Sequence, residues 1–383
     1  MTPFTFDTTA SIVFEPGAAG RLGEIAGRRL GPRILFVTDP GLRALGLGDT
    51  AVESLESSGA EVTVFDAVEA DPSRATLMQA VEAGRGVSGV VGFGGGSSLD
   101  VAKLAALLLG SGEDLDQAWG VRQAKGPRLP LVLVPTTAGT GSEVTPVSII
   151  TVGEEEKRGV SSPVLLPDVA VLDPDLTLSL PPHITAATGV DAMVHAIEAY
   201  ASRNANNNPL SKMLARQALR LLGANIERAV FSGKDVEARG AMLLGSMLAG
   251  QAFANSPVAA VHALAYPIGG TFHVPHGLSN ALVLPHVLRF NAPAASHLYA
   301  EIAADAFPHL AEVGIQGRCA AFIDALAALA SRLEMQTQLR QVQITEEDLP
   351  KLAKDAMKQQ RLLVNNPREV TEADALAIYR AAW

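Results

Sequence analysis

A single cysteine, Cys319, leaves this 383-residue chain no partner for an internal disulfide, and its Ala/Leu-rich helical setting reads as a small buried apolar side chain. A disulfide-stapled secreted fold is excluded, and a reducing compartment fits. Basic residues are also in short supply: 30 Lys and Arg face 40 Asp and Glu, and they form no cluster. The resulting net charge of −10 argues against nucleic acid and anionic membranes as partners. No run reaches the ~18 consecutive apolar residues that a membrane span needs. The opening Met1-Thr-Pro-Phe-Thr-Phe lacks the basic and apolar regions of a signal peptide. The expectation is a soluble, cytoplasmic protein.

What is present is a packed globular composition, 48% hydrophobic against 18% charged, in a chain long enough for two domains. Up to about Asp173, β-rich runs alternate with amphipathic stretches. Arg33 to Thr38, Glu61 to Asp66, Gly89 to Phe93, Leu131 to Pro135 and Asp168 to Asp173 read as strands, with helices over Asp49 to Ser58 and Arg74 to Arg85. That alternation predicts a parallel sheet covered by helices on both faces. Phe4 to Thr8 and Ser11 to Phe14 are expected to form an edge hairpin. After Pro181-Pro182 the apolar rhythm becomes i, i+3, i+4 through Leu210 to Gly223, Val236 to Ala254, Gln316 to Leu333, Glu346 to Met357 and Thr371 to Ala382. The fold class is therefore an α/β, Rossmann-like N-terminal domain over residues 1–180, followed by an all-α domain over residues 181–383.

Two loops point to a nucleotide. The Gly-x-Gly-x-x-Gly fingerprint is missing, but Gly89 to Phe93 runs into Gly94-Gly95-Gly96-Ser97-Ser98-Leu99-Asp100 and then a helical pattern. Strand, glycine loop and helix start make an anion site, because glycine lets pyrophosphate approach the main chain and the helix N-terminus offers free N–H groups. Ser97 and Asp100 have the spacing of a capping box. A second loop, Thr136-Thr137-Ala138-Gly139-Thr140-Gly141-Ser142-Glu143, follows a neighbouring strand with hydroxyls suited to phosphate or ribose. The first strand ends at Thr38-Asp39, where a carboxylate accepts from an adenosine 2′-hydroxyl and repels a 2′-phosphate, favouring NAD over NADP.

The second half carries the metal chemistry. Any one of the eight histidines taken alone is an ordinary polar side chain. Asp191 and His195, however, lie four apart in a helical segment and so share one face. His262 sits in an apolar helical run, and His276 in the rigid-then-flexible loop Val274-Pro275-His276-Gly277. One carboxylate and three imidazoles without thiolate suit Fe(II) or Zn(II).

Gly94-Gly95-Gly96-Ser97, Pro135-Thr136-Thr137-Ala138-Gly139-Thr140, Gly189-Val190-Asp191 with His195, Val261-His262 and Pro275-His276-Gly277 together resemble the iron-containing alcohol dehydrogenases. The resemblance covers essentially the whole chain. It implies Fe(II) held by Asp191, His195, His262 and His276, and NAD held by Asp39, Gly95, Gly96, Ser97, Asp100, Thr136, Thr137, Thr140 and Lys157. It also implies a homodimer, often built through the N-terminal strands, and a small alcohol or aldehyde as substrate whose oxygen the metal polarises. Two positions set this chain apart. Tyr266 stands where the family often has a second histidine, so Tyr266 or His273 is the candidate proton relay. Val147 replaces a polar side chain of diol-handling relatives, and with Phe253, which matches a pocket aromatic, it predicts a preference for simple alcohols over polyols. Rival activities on the same fold are glycerol dehydrogenase, hydroxyacid-oxoacid transhydrogenase and maleylacetate reductase. The last needs a cation for its keto acid, and Val258 to Gly277 contains no Lys or Arg. A non-enzymatic nucleotide-binding relative would have a damaged ligand set, whereas all four ligands are present.

Overall fold

The structure, a computed structural model, describes residues 3–153 and 156–383. The chain forms two compact units, Asp7–Leu178 and Ser179–Trp383, the latter joined by the described residues that precede Asp7.

In the first unit, β1 (Ser11–Phe14), β2 (Arg33–Val37), β3 (Glu61–Phe65), β4 (Gly89–Gly94), β6 (Leu131–Pro135) and β9 (Val169–Leu172) make one sheet in the order β1-β9-β6-β4-β2-β3. Every pairing in it is parallel. The central strands β4, β6 and β9 are buried along their whole length, which is why they read as continuous apolar runs. Alternate residues feed two cores. Leu35, Val37, Val90 and Leu133 pack with Leu77 and Leu104 from the Arg74–Ala83 and Gly96–Ser111 helices. Ile34, Phe36, Val91 and Val134 pack on the other face with Leu22 and Leu55 from the Leu22–Leu30 and Asp49–Ser57 helices.

The five anticipated strands lie within a residue or so of their expected bounds, but the edge hairpin does not form. Ser11–Phe14 pairs in parallel with Val169–Leu172, and Phe4 to Thr8 is not a strand. The Thr5 main chain finds its partners elsewhere: the Asn206 amide accepts from its N–H at 2.9 Å and donates to its carbonyl at 2.9 Å. With those groups satisfied, Thr5 has no need of a neighbouring strand. A second, three-stranded sheet was not anticipated. β7 (Val147–Val152) pairs antiparallel with β8 (Glu156–Ser161), which also meets the two-residue β5 (Gly120–Val121).

The second unit contains no strand among its described residues and is built on long helices: Pro182–Ala201, Pro209–Phe231, Val236–Asn255, Ala260–Phe272, His276–Ala306, Ile315–Arg332 and Glu372–Ala382. The 31-residue His276–Ala306 helix was masked in the sequence by Pro285 and Pro293, which lie inside it. His276 is the first residue of that helix, with Pro275 at the N-cap position, and not part of a loop.

Candidate metal centre and cofactor loops

Asp191 and His195 project from the Pro182–Ala201 helix, His262 from the first turn of Ala260–Phe272, and His276 from the start of His276–Ala306. The His276–Ala306 helix reaches the first by close packing. A Cβ on Gly277 would stand 2.2 Å from the Ala187 carbonyl oxygen, so only glycine allows the backbone carrying His276 to lie against the helix of Asp191. One ligand atom from each of Asp191, His195, His262 and His276 lies within 4.8 Å of the others.

The rings are ordered. His195 stacks on Phe253 at 4.3 Å between centroids and on His262 at 4.7 Å, and His262 is tilted against His276 at 5.4 Å. Three of the ligands are buried, whereas the His276 side chain is 41% exposed and marks the open side of the cluster. Burial works to raise the Asp191 carboxyl. The three imidazoles and the Asn280 amide outweigh it and leave the group below the ordinary carboxylate value.

Asn280 lies one turn after His276 and is fully buried. Its nitrogen donates to Asp191 Oδ1 at 2.6 Å and stands 3.3 Å from Nε2 of both His262 and His276. The amide carries two hydrogens: one goes to Asp191, and the other is left to face the two imidazole nitrogens. Its oxygen is buried with no hydrogen-bond partner among the described residues. Three imidazoles and a buried carboxylate, each with a ligand atom within 4.8 Å of the others, are a donor set that fits a divalent ion such as Fe(II) or Zn(II). The i, i+4 spacing from His276 was available in the sequence as a signal for Asn280. Glu198, which touches His262 at 2.7 Å, extends the Asp191/His195 stripe by one further turn. No spacing pointed to Arg361, whose guanidinium lies 5.9 Å from the Tyr266 ring centroid.

The two relay candidates separate. The Tyr266 ring lies 5.9 Å from the His276 ring. His273 ends its helix in the left-handed conformation, φ 54°, with an exposed side chain.

In the sheet unit, Gly95 is the N-cap of the Gly96–Ser111 helix and no side chain caps it. The capping box expected of Ser97 and Asp100 is not formed. Asp100 turns away from the helix start, accepting from Ser142 Oγ at 2.7 Å and from the Ile149 N–H at 2.9 Å. It thereby ties the glycine loop to the second loop. Beneath both, the fully buried Lys103 donates to Ser142 Oγ, Thr145 Oγ1 and the Val147 carbonyl at 2.7, 3.2 and 2.7 Å. Burial pushes the Lys103 ammonium down to about 8 against the pull of Asp100 and Glu143, and pushes the Glu143 carboxyl up to about 7.

The loops also approach across the turn. A Cβ on Gly96 would meet Thr140 Cγ2 at 2.9 Å, and one on Gly95 would lie 3.8 Å from Thr137. The Thr136 N–H donates to the Gly94 carbonyl at 3.0 Å, and the Thr140 hydroxyl accepts from the Ser142 N–H at 3.3 Å. Asp39 caps the short Pro40–Ala44 helix through the Leu42 N–H at 2.9 Å. Lys157, on β8, is ion-paired with Asp71.

Comparison with known proteins gives the same picture over the whole chain. Residues 9–174 match the family model "iron-containing alcohol dehydrogenase", and residues 185–383 match the C-terminal model of the Fe-containing alcohol dehydrogenase family. Long-chain-alcohol dehydrogenase 1 of Geobacillus thermodenitrificans is 42% identical, with 98% of this chain and 97% of the relative aligned. The crystal structure of a 1,3-propanediol oxidoreductase superposes with a TM-score of 0.95 at 35% identity, covering 100% of both chains. Sulfoacetaldehyde reductase from Bifidobacterium kashiwanohense, solved in complex with NAD+, superposes with a TM-score of 0.88 at 30% identity, covering 100% of this chain and 99% of its own. With both halves matched, this chain belongs to the iron-containing alcohol dehydrogenase family.

Proposed function

We propose that the chain is an NAD-dependent, metal-dependent alcohol dehydrogenase and aldehyde reductase acting on small primary alcohols and aldehydes. The observation that carries this reading is the convergence of Asp191, His195, His262 and His276. When bound, Fe(II), or Zn(II) on the same ligands, supplies a Lewis acid for the substrate oxygen, and NAD(H) supplies or takes the hydride.

The residues have distinct tasks in this proposal. Phe253, stacked on His195, makes one side of the metal group apolar. Tyr266, beside His276, moves the proton at its phenolic oxygen. The main chain of Gly95, Gly96 and Ser97 receives the pyrophosphate, with hydroxyls of Thr136, Thr137 and Thr140 alongside. Asp39 accepts from the adenosine 2′-hydroxyl, Asp100 holds the two loops together, and Lys157 attracts the phosphates from the β7–β8 hairpin. A relative of this fold with NAD+ bound supports the cofactor choice. The family resemblance supports a homodimer, which light scattering would detect as about twice the chain mass, and the single cysteine suits a reducing cytoplasm. Among the described residues no helix is long and apolar enough to cross a membrane.

The test is metal analysis of protein purified without air, paired with NADH oxidation against a panel of aldehydes. About one iron or zinc per chain and turnover that chelation abolishes are expected, and full turnover by metal-free protein would overturn the reading. Equal or better kcat/KM with glycerol or 1,2-propanediol than with butanol would sink the preference for simple alcohols.

A second reading rests on Arg361. The absence of a cation in Val258 to Gly277 counted against anionic substrates, but Arg361 brings one over Tyr266 from 95 positions further on. That placement favours aldehydes with an anionic tail, in line with the sulfoacetaldehyde reductase among the relatives. Succinic semialdehyde and butanal, equal in carbon number, discriminate. If Arg361 meets the tail, Arg361→Ala raises KM for the acid alone, by up to about fivefold for an exposed pair worth ~1 kcal/mol. Equal effects on both substrates would dismiss it.

A further inference from the structure

The Ala260–Phe272 helix begins without a side-chain cap of its own, since Ala259 occupies the N-cap position. The carboxylate of Glu198, from the Pro182–Ala201 helix, takes that place: it accepts from the Ala259 N–H at 3.0 Å and from the Val261 N–H at 2.7 Å. The same carboxylate lies 2.7 Å from Nδ1 of His262, and Glu198 is only 5% exposed. Asp191, His195 and Glu198 follow one another along one stripe of that helix, so the element supplying two ligands also grips the element supplying the third.

We propose that Glu198 is a positioning residue of the metal centre, fixing the ring orientation and the tautomer of His262. The inference rests on the metal reading of the Asp191 cluster. A carboxylate can only accept, so the hydrogen of His262 sits on Nδ1, and Nε2 is left with its lone pair facing Asp191, from which it stands 3.9 Å. The Asn280 nitrogen, 3.3 Å from the same Nε2, carries no acceptor for an Nε2–H and so agrees with that tautomer. A ligand held in this way needs no tautomer change and no ring rotation when a cation arrives, and the negative charge behind the ring raises the basicity of Nε2. The negative charge at the helix N-terminus is favourable as well, so one group serves fold and site together.

The experiment is Zn(II) affinity by chelator competition on the full-length, metal-free protein, comparing wild type with Glu198→Gln. Glutamine is nearly isosteric, but it removes the charge and turns one acceptor into a donor. The expected result is a 10- to 100-fold rise in the Zn(II) Kd, as for other partners of ligating histidines. If Glu198 merely caps the helix, the variant loses Tm while its Kd stays within twofold of wild type, and the proposal is overturned. A variant that does not fold leaves a second readout on the wild type: ¹⁵N–¹H imidazole spectra of the metal-free protein, assigned against His262→Asn. The proton is expected on Nδ1 of His262, and finding it on Nε2 would overturn the proposal. A wild type that binds no Zn(II) at all would instead bring down the metal reading on which it stands.

Discussion

Buried ionisable side chains under the cofactor loops make stability respond to pH. Glu143 is 1% exposed, and its Oε1 has no hydrogen-bond partner among the described residues. Burial raises its carboxyl to about 7 from an ordinary 4.5, with Lys103 only partly opposing. A carboxyl whose folded pKa lies above its unfolded one favours folding while it is protonated. That contribution is complete below about pH 4.5 and is lost as pH rises through about 7. Glu143→Gln has no proton to lose, so between pH 5 and pH 7.5 the metal-free variant should gain about 2–3 kcal/mol in unfolding free energy relative to wild type. Urea titrations at the two pH values check this, and parallel pH dependence in both proteins would show that Glu143 does not titrate in that window. At this scale the sequence was legible where spacing encodes a face: Asp191 and His195 sit four apart on the helix they were expected to share. The partners of Glu198 and Lys103 were not legible, because His262 and the Ser142–Val147 stretch are 64 and 39 to 44 positions away.

Two glycines at the starts of helices separate fold from ligand binding at the scale of elements. A Cβ on Gly95 meets nothing closer than Thr137 at 3.8 Å, an ordinary contact. Gly95→Ala should therefore leave stability within about 1 kcal/mol of wild type. Its methyl would nonetheless lie where the pyrophosphate approaches, so the NAD Kd should rise about tenfold or more, near 1.4 kcal/mol. Calorimetric titration with NAD+ would decide it, and unchanged affinity would remove this loop from the cofactor site. Gly277 is the opposite case, since a Cβ 2.2 Å from the Ala187 carbonyl oxygen forces two helices apart. Gly277→Ala should cost about 3 kcal/mol or more of stability and weaken Zn(II) binding, because His276 moves with the backbone. Elements were well predicted where the apolar signal was unbroken, as in the continuous runs of β4 and β6. The β7–β8 hairpin escaped because Glu156–Ser161 reads Glu-Lys-Arg-Gly-Val-Ser, polar on most positions. The His276–Ala306 helix escaped because internal prolines broke its signal.

At the scale of the molecule, the proposed metal ligands all belong to the Ser179–Trp383 unit, and the residues assigned to NAD all belong to Asp7–Leu178. Each ligand should therefore stabilise its own unit, and the two effects are separable in one experiment. A ligand at a hundred times its Kd adds about 2.7 kcal/mol to the form that binds it, which slows exchange through its opening about a hundredfold. Hydrogen exchange read by mass spectrometry should show Zn(II) or Fe(II) protecting the Pro182–Ala201 helix around Asp191 to Glu198, the first turn of Ala260–Phe272 and the start of His276–Ala306. Chelation should release those amides and leave β4 and β6 unchanged. NAD+ should act on the complementary set, Gly94 to Leu99 and Thr136 to Ser142. Protection of the sheet by metal alone, or of the three ligand-bearing helices by NAD+ alone, would contradict the assignment of one ligand to each unit. Glu198→Gln belongs in the same experiment as a discriminating variant. If the carboxylate holds His262 for the metal, the Ala259–His262 turn loses its metal-dependent protection more than the Asp191 turn does, although both helices remain folded.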